Sequence, residues 1–309
     1  MKTISFALQK GGTGKTSVAV SVATELAKTS KVVLVDADPQ GNASAWYNNE
    51  LKAELSDVLA NKSTVQDALI TTGLKNLFMI PTAGIGGGLN AYQKNEANGK
   101  PEAMLDITDE LAKVFDYCII DTSPHFGPLE ESCFIASDEI VPVLMIDRFS
   151  FDGLEIFLAN LDDLKSRAKR VRKEGKMGNI VLNSKDNRLS IQDGKVDALI
   201  KTLPKETKLH IIPVDQAFKK AQDAHEPIET VEAKKETLTV INEIAEALKE
   251  LPSKDIVLYT TEGSWYFFSS DPLRQLITYS QEKNKPINLK SISLNRTWAI
   301  INANKNGEL

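Results

Sequence analysis

Short runs of consecutive apolar residues recur along the chain, and most are followed by a stretch in which apolar residues return every three or four positions. Lys31 to Asp36 reads K-V-V-L-V-D, an apolar run without polar alternation, which suits a strand of a parallel sheet covered on both faces. Read this way, strands are predicted at about 3–8, 32–36, 76–80, 117–121, 139–146, 178–183 and 208–212. Helical spacing marks 16–28, 102–114, 128–136, 153–174, 189–201, 214–223 and 234–250. Strand and helix in alternation predict an α/β fold with a doubly wound, mostly parallel sheet. In the first helix Val18, Val22 and Leu26 recur every four residues with Ala19, Ala23 and Ala27 beside them, so its buried face is wide and built for close packing.

The pattern changes at Pro252. Ile256–Tyr259, Ser264–Phe268, Ser291–Leu294 and Thr297–Ala303 read as strands around a helix from Asp271 to about Asn284, which Pro272 opens at its first position. Seven of the twenty aromatic residues fall in this tail, too many for a disordered segment. The expected organisation is therefore a domain over 1–251 and a small α+β appendage over 252–309. The aromatics Tyr266, Phe267 and Trp298 either build the appendage's own core or stack on nucleic acid.

At 309 residues the length fits one large domain plus a smaller one. No apolar run approaches a membrane span and Met1–Ile4 begins a core strand, so the protein is expected in the cytoplasm with no membrane partner. Cys118 and Cys133 form no Cys-x-x-Cys pair and read as reduced structural thiols; the three histidines, 125, 210 and 225, are too scattered to suggest a metal cluster.

Chemistry concentrates at the strand ends. Residues 10–17, Lys-Gly-Gly-Thr-Gly-Lys-Thr-Ser, lie between the first strand and the first helix, where a phosphate-binding loop belongs. The usual pattern needs glycine where Gln9 stands, and Lys10 adds a second cation. Gly11, Gly12 and Gly14 let successive N–H groups of Gly11 to Ser17 turn around a phosphate chain at the helix's positive end. Lys15 is placed to meet the β and γ phosphates and Thr16 to offer a hydroxyl to Mg²⁺. Two lysines so close repel unless a polyanion lies between them. Asp36-Ala37-Asp38-Pro39-Gln40-Gly41-Asn42 puts two acids at the end of the second strand, and Asp121 closes another. Acids at strand tips beside a phosphate loop suit a metal–nucleotide centre, although either Asp36 or Asp38 alone could simply cap a turn.

Together these segments resemble the ParA/MinD class of dimeric ATPases, the deviant Walker A group of P-loop NTPases, with the D-x-D-P-Q-G-N wording nearest its ParA (Soj-like) partition branch. The resemblance runs over residues 1 to about 251. It implies ATP and Mg²⁺ as cofactors. Lys10 corresponds to the lysine that reaches the partner's nucleotide in an ATP-held homodimer, and Lys15 and Thr16 to the phosphate lysine and magnesium hydroxyl. Asp38 corresponds to the acid that positions the attacking water, Asp36 to a support for loop and metal, and Asp121 to the magnesium acid beyond it. Asn183 and Pro213 correspond to residues beside the base.

The resemblance also implies non-specific DNA binding by the ATP dimer, stimulation by a ParB-like centromere-binding partner and association with the nucleoid. Residues 165–176 carry seven basic side chains against one acid in a chain of net charge −5. This stretch, with Arg167, Lys169, Arg170, Arg172 and Lys173, is the expected DNA surface, extended by Lys219 and Lys220; the other reading is a solvated helix end. A departure from the family pattern affects this surface: near Ala217 relatives often carry an arginine that this chain lacks. Two other readings are a MinD-like or cargo-positioning regulator and an ATP-dependent metabolic ligase. The stretch Gly84–Gly88 reads as flexible cover near the dimer face.

Overall fold

The computed structural model describes residues 1–47, 51–146, 148–168, 177–186, 188, 191–203 and 205–249, and strands at 259–261, 264–267, 292–295 and 298–302. Its strands are β1 (Lys2–Ala7), β2 (Val32–Ala37), β3 (Ile70–Thr71), β4 (Leu77–Ile80), β5 (Tyr117–Thr122), β6 (Glu139–Met145), β7 (Asn179–Lys185) and β8 (Lys208–Pro213). They form one sheet in the order β3-β4-β2-β5-β1-β6-β7-β8, parallel throughout except for the β3–β4 pair. The helices are α1 (Lys15–Ala27), α2 (Asn42–Tyr47), α3 (Leu55–Leu59), α4 (Val65–Ala68), α5 (Gly88–Asn95), α6 (Ala103–Leu111), α7 (Pro128–Ala136), α8 (Arg148–Arg167), α9 (Ile191–Thr202), α10 (Ala217–Ala224) and α11 (Lys235–Lys249).

The apolar strands are buried on both sides because alternate residues serve different layers. Val32 and Leu34 face α1, α2, α10 and α11, whereas Val33 and Val35 pack with α3 to α7. A third cluster joins α7, α8 and α9 to the β6–β7 half through Phe134, Phe157, Leu144 and Leu182. Val18, Val22 and Leu26 of α1 have no exposed surface, and each such side chain contributes about 1.5–3 kcal/mol of burial free energy. Cys118 and Cys133 are buried and form no disulfide, and burial pushes the Cys133 thiol well above the ordinary range.

Between β2 and β5 the structure holds more than the periodicity predicts. The helices α2 to α5 are four to eight residues long, below the length at which a repeating apolar stripe becomes readable, and they are held by buried anchors such as Trp46, Leu55 and Leu89. Helix α8 begins five residues earlier than the spacing predicts, at Arg148 rather than 153.

At the N-terminal edge of the sheet a line of polar side chains crosses four strands. Lys2 Nζ pairs with Glu139 Oε2 at 2.8 Å and donates to Leu248 O at 2.9 Å. Asn179 Nδ2 donates to Glu139 Oε1 at 2.5 Å, and Asn179 Oδ1 lies 2.8 Å from His210 Nε2. Because the amide oxygen can only accept, the His210 ring carries its proton on Nε2.

The chain divides into two compact units, Met1–Leu248 and Lys249–Leu309. In the second, β9 (Tyr259–Thr261), β10 (Ser264–Phe267), β11 (Ile292–Asn295) and β12 (Trp298–Asn302) form an antiparallel sheet in the order β11-β12-β10-β9. The helix predicted at 271–284 lies outside the described residues.

Candidate nucleotide site

Three adjacent strands deliver the candidate residues to one edge of the sheet. Strand β1 leads into the Gly-rich loop, its neighbour β5 carries Asp121 near its end, and β2, on the far side of β5, carries Asp36 near its end with Asp38 just beyond it. Asp36 and Asp121 stand opposite one another in the β2–β5 register. The loop turns through Gly12 at φ 72° and Gly14 at φ 89°, backbone angles that favour glycine, and α1 begins directly after Gly14 with Lys15. A Cβ at Gly14 would also collide with Asn183 Nδ2.

Lys15 is buried at 6% exposure, and its Nζ donates to Lys10 O at 2.9 Å. Burial pulls its pKa below the ordinary lysine value, against the opposing pull of Asp121 and Asp38. The three acids are buried too but are held differently. Asp36 is committed to its loop: Oδ2 accepts from the Ser44 backbone N–H and hydroxyl, each at 2.7 Å, and Oδ1 from Asp38 N at 3.2 Å. The carboxylate thus fastens the first turn of α2, where helix N–H groups lack partners of their own. Asp38 Oδ1 accepts from Gln40 N at 2.9 Å, the bond of a capped turn.

Asp121 is the exception. It has no exposed surface and neither oxygen has a hydrogen-bond partner of good geometry, while the nearby Thr16 hydroxyl opposes the rise in its pKa. Burial, with Asp36 nearby, raises its pKa well above the carboxylate range. An orphaned buried carboxylate beside a hydroxyl is a donor set that fits a hard divalent cation. Among the described residues no group of three or more His, Cys, Asp and Glu forms a metal cage, so such a cation would take most of its shell from phosphate and water, as Mg²⁺ does.

This geometry agrees with what the chain is similar to. Residues 1–173 match the family described as "AAA domain", and residues 259–306 match the "YaaT C-terminal domain". The uncharacterised protein BBD21 of Borreliella burgdorferi is 35% identical over 56% of this chain and 72% of its own length. The chromosome-partitioning ATPase Soj of Treponema pallidum is 32% identical over 53% of this chain and 65% of its own, just under two thirds. The chain belongs to the ParA/Soj family of P-loop NTPases. An ATP complex of Cyanothece McdA has the same fold, with a TM-score of 0.73 and 21% identity over 83% of this chain and 98% of that one.

In this ParA-family chain Asn183 lies beneath the phosphate loop, its Nδ2 donating to Thr13 O at 2.9 Å, and Pro213 ends the adjacent strand β8. Lys219 and Lys220 are exposed on α10, and Lys220 meets Glu232 at 3.3 Å. Lys169, Arg170, Arg172 and Lys173 lie outside the described residues, as does the side chain of Arg167 at the end of α8. Two contacts absent from the sequence reading clasp α2 to the end of α10. Trp46 Nε1 donates to Glu226 O at 2.9 Å, and the His225 ring meets Ala45 O at 2.9 Å. The Gly84–Gly88 stretch is also bound more firmly than a flexible cover, since Glu54 accepts hydrogen bonds from Ala83 N and Gly88 N. No local motif announces the contacts by which Ser44, Thr82 and Glu54 join distant segments, because these span 8 to 46 residues. Among the described residues no helix is long and apolar enough to cross a membrane.

Proposed function

We propose that this ParA-family chain is a Mg²⁺-dependent ATPase for DNA partition. It closes into a homodimer around ATP, binds DNA without sequence preference in that state, and is stimulated by a ParB-like centromere-binding partner. The observation that carries this reading is the buried grouping of Lys15 with Asp38 and an unpaired Asp121. A phosphate chain answers the lysine and the loop N–H groups, and a divalent cation answers the orphaned carboxylate. Similarity to a chromosome-partitioning ATPase supports partition as the setting.

The roles of the residues are positional. Loop N–H groups and Lys15 hold the phosphates, with the partner copy's Lys10 adding the charge that one chain lacks. Thr16 and Asp121 hold the cation's shell, Asp36 keeps the α2 turn in place, and Asp38 orients a water for attack. Mg²⁺, when bound, neutralises phosphate charge and aligns the oxygens. Asn183 and Pro213 border the base, and the basic 165–176 segment with Lys219 and Lys220 forms the DNA surface. This reading puts the ATP dimer on nucleoid DNA in the cytoplasm, without a membrane partner.

The deciding experiment is ATP-dependent binding to random-sequence duplex at two salt concentrations. Binding at low salt that weakens steeply at high salt is expected, and no binding at either removes the DNA role. Asp38→Ala is expected to bind ATP without hydrolysing it, and Lys10→Ala to stay monomeric with ATP. Equal turnover by Asp38→Ala removes that assignment.

A further inference from the structure

We propose that Glu54 is a positioning residue for ATP hydrolysis: by pinning both ends of the Gly84–Gly88 turn, its carboxylate fixes the place of the Asp38 loop. This rests on the ATPase reading above and names a residue to which that reading gives no part.

Glu54 stands just before α3, 8% exposed, in extended backbone. Its Oε2 accepts from Ala83 N at 2.6 Å, and its Oε1 accepts from Ser56 Oγ at 2.6 Å and from Gly88 N. One carboxylate therefore takes the N–H on either side of a short turn, one on each oxygen. Its own N–H is held by Asp57 Oδ2 at 3.1 Å, so the anchor is itself anchored.

The turn it holds lies directly on the hydrolysis loop. A Cβ at Gly41 would fall 2.6 Å from Gly84 Cα and 2.8 Å from Gly84 N, and one at Gly84 would fall 3.1 Å from Gln40 O. Both glycines have positive φ, 68° and 75°, and the two backbones meet with no side chain between them. Gln40 and Gly41 in turn hold Asp38: Gln40 N donates to its carboxylate and Gly41 N to its carbonyl at 2.9 Å. A parallel route runs through Thr82, whose N–H donates to Ser44 Oγ at 2.8 Å and whose hydroxyl donates to Asp36 O at 2.7 Å. Ser44 then donates to the Asp36 carboxylate. Shifting Gly84 thus requires Gly41 and Gln40 to shift, and with them the donor that orients Asp38. Phosphate-binding residues lie on a different loop and are not displaced by this route.

The test uses Glu54→Gln in the full-length chain, which keeps the size of the side chain but turns one acceptor into a donor facing an N–H. In single-turnover assays with Mg-ATP, kcat is expected to fall about tenfold or more. Affinity for a fluorescent ATP analogue should stay within about twofold of the parent, the sign of an interaction that acts in the chemical step rather than in binding. Gly84→Ala disturbs the same contact from the other side and is expected to give the same selective loss of kcat, which keeps the test open if Glu54→Gln folds poorly. Combined with Asp38→Ala, neither change should lower the residual rate further. Parental kcat in both variants, or equal losses in kcat and affinity, overturns the positioning role. If the parent chain does not hydrolyse ATP and Asp38→Ala changes nothing, the ATPase reading itself has failed, an outcome distinct from the first.

Discussion

The two edges of the sheet treat buried charge in opposite ways. At the N-terminal edge Lys2, Glu139, Asn179 and His210 form a continuous line in which each side chain meets the next. At the C-terminal edge Asp121 is as deeply buried, yet both its oxygens lack partners, and Lys15 is turned onto a backbone carbonyl. Sheet, strands and burial are shared, so the difference is not a requirement of the fold. One edge is satisfied by the chain's own groups, whereas the other leaves a buried carboxylate where the proposed reading puts a cation.

The contrast extends to pH, with opposite signs. Burial, reinforced by nearby Lys208, lowers the pKa of His210 to about 4. The unfolded histidine takes up a proton near 6.5 and the folded one resists, so this group's contribution is lost as pH falls from about 6.5 towards 4. Burial raises Asp36 to about 6 despite its bonds from Ser44 and Asp38, and Asp121 moves the same way. A carboxyl that ionises less readily when folded costs stability as pH rises, so the ligand-free C-terminal edge weakens from about pH 4 to 6.

The largest effect is expected from breaking the finished edge. Glu139→Ala leaves Lys2 and Asn179 without their common partner and should cost about 3 kcal/mol, read as a lower urea midpoint at unchanged slope. At the unfinished edge the sign should reverse. Asp121→Asn is expected to stabilise the nucleotide-free protein by about 1–2 kcal/mol and to abolish the rise in melting temperature expected of the parent with Mg-ATP. A destabilised nucleotide-free Asp121→Asn protein would show that the carboxylate has a structural partner after all. The smallest effect is one of slope. His210→Gln should change stability little at pH 7 but flatten its decline between pH 6.5 and 4, measured by urea titration across that range.

The parallel strands and α1 were readable because an apolar run flanked by turns needs no distant partner to be recognised. Lys15, Thr16 and the three acids were readable because each lies within a few residues of a strand end. The two edges were not. Lys2 and Glu139 are 137 positions apart, and the asymmetry between Asp36 and Asp121 depends on where Ser44 falls once α2 has formed. The helices α2 to α5 escaped for the same reason, since isolated segments that short are marginal and only the packing of Trp46, Leu55 and Leu89 defines them.

The clasp between α2 and α10 has a mechanical consequence. The indole of Trp46 and the ring of His225 tie the helix that leaves the Asp36–Gly41 turn to the end of the helix bearing Lys219 and Lys220, across 180 residues of sequence. Neither helix can swing alone without breaking both bonds and uncovering a tryptophan that is 1% exposed. Two stretches of chain that sequence keeps far apart are thereby joined at one buried indole and one imidazole.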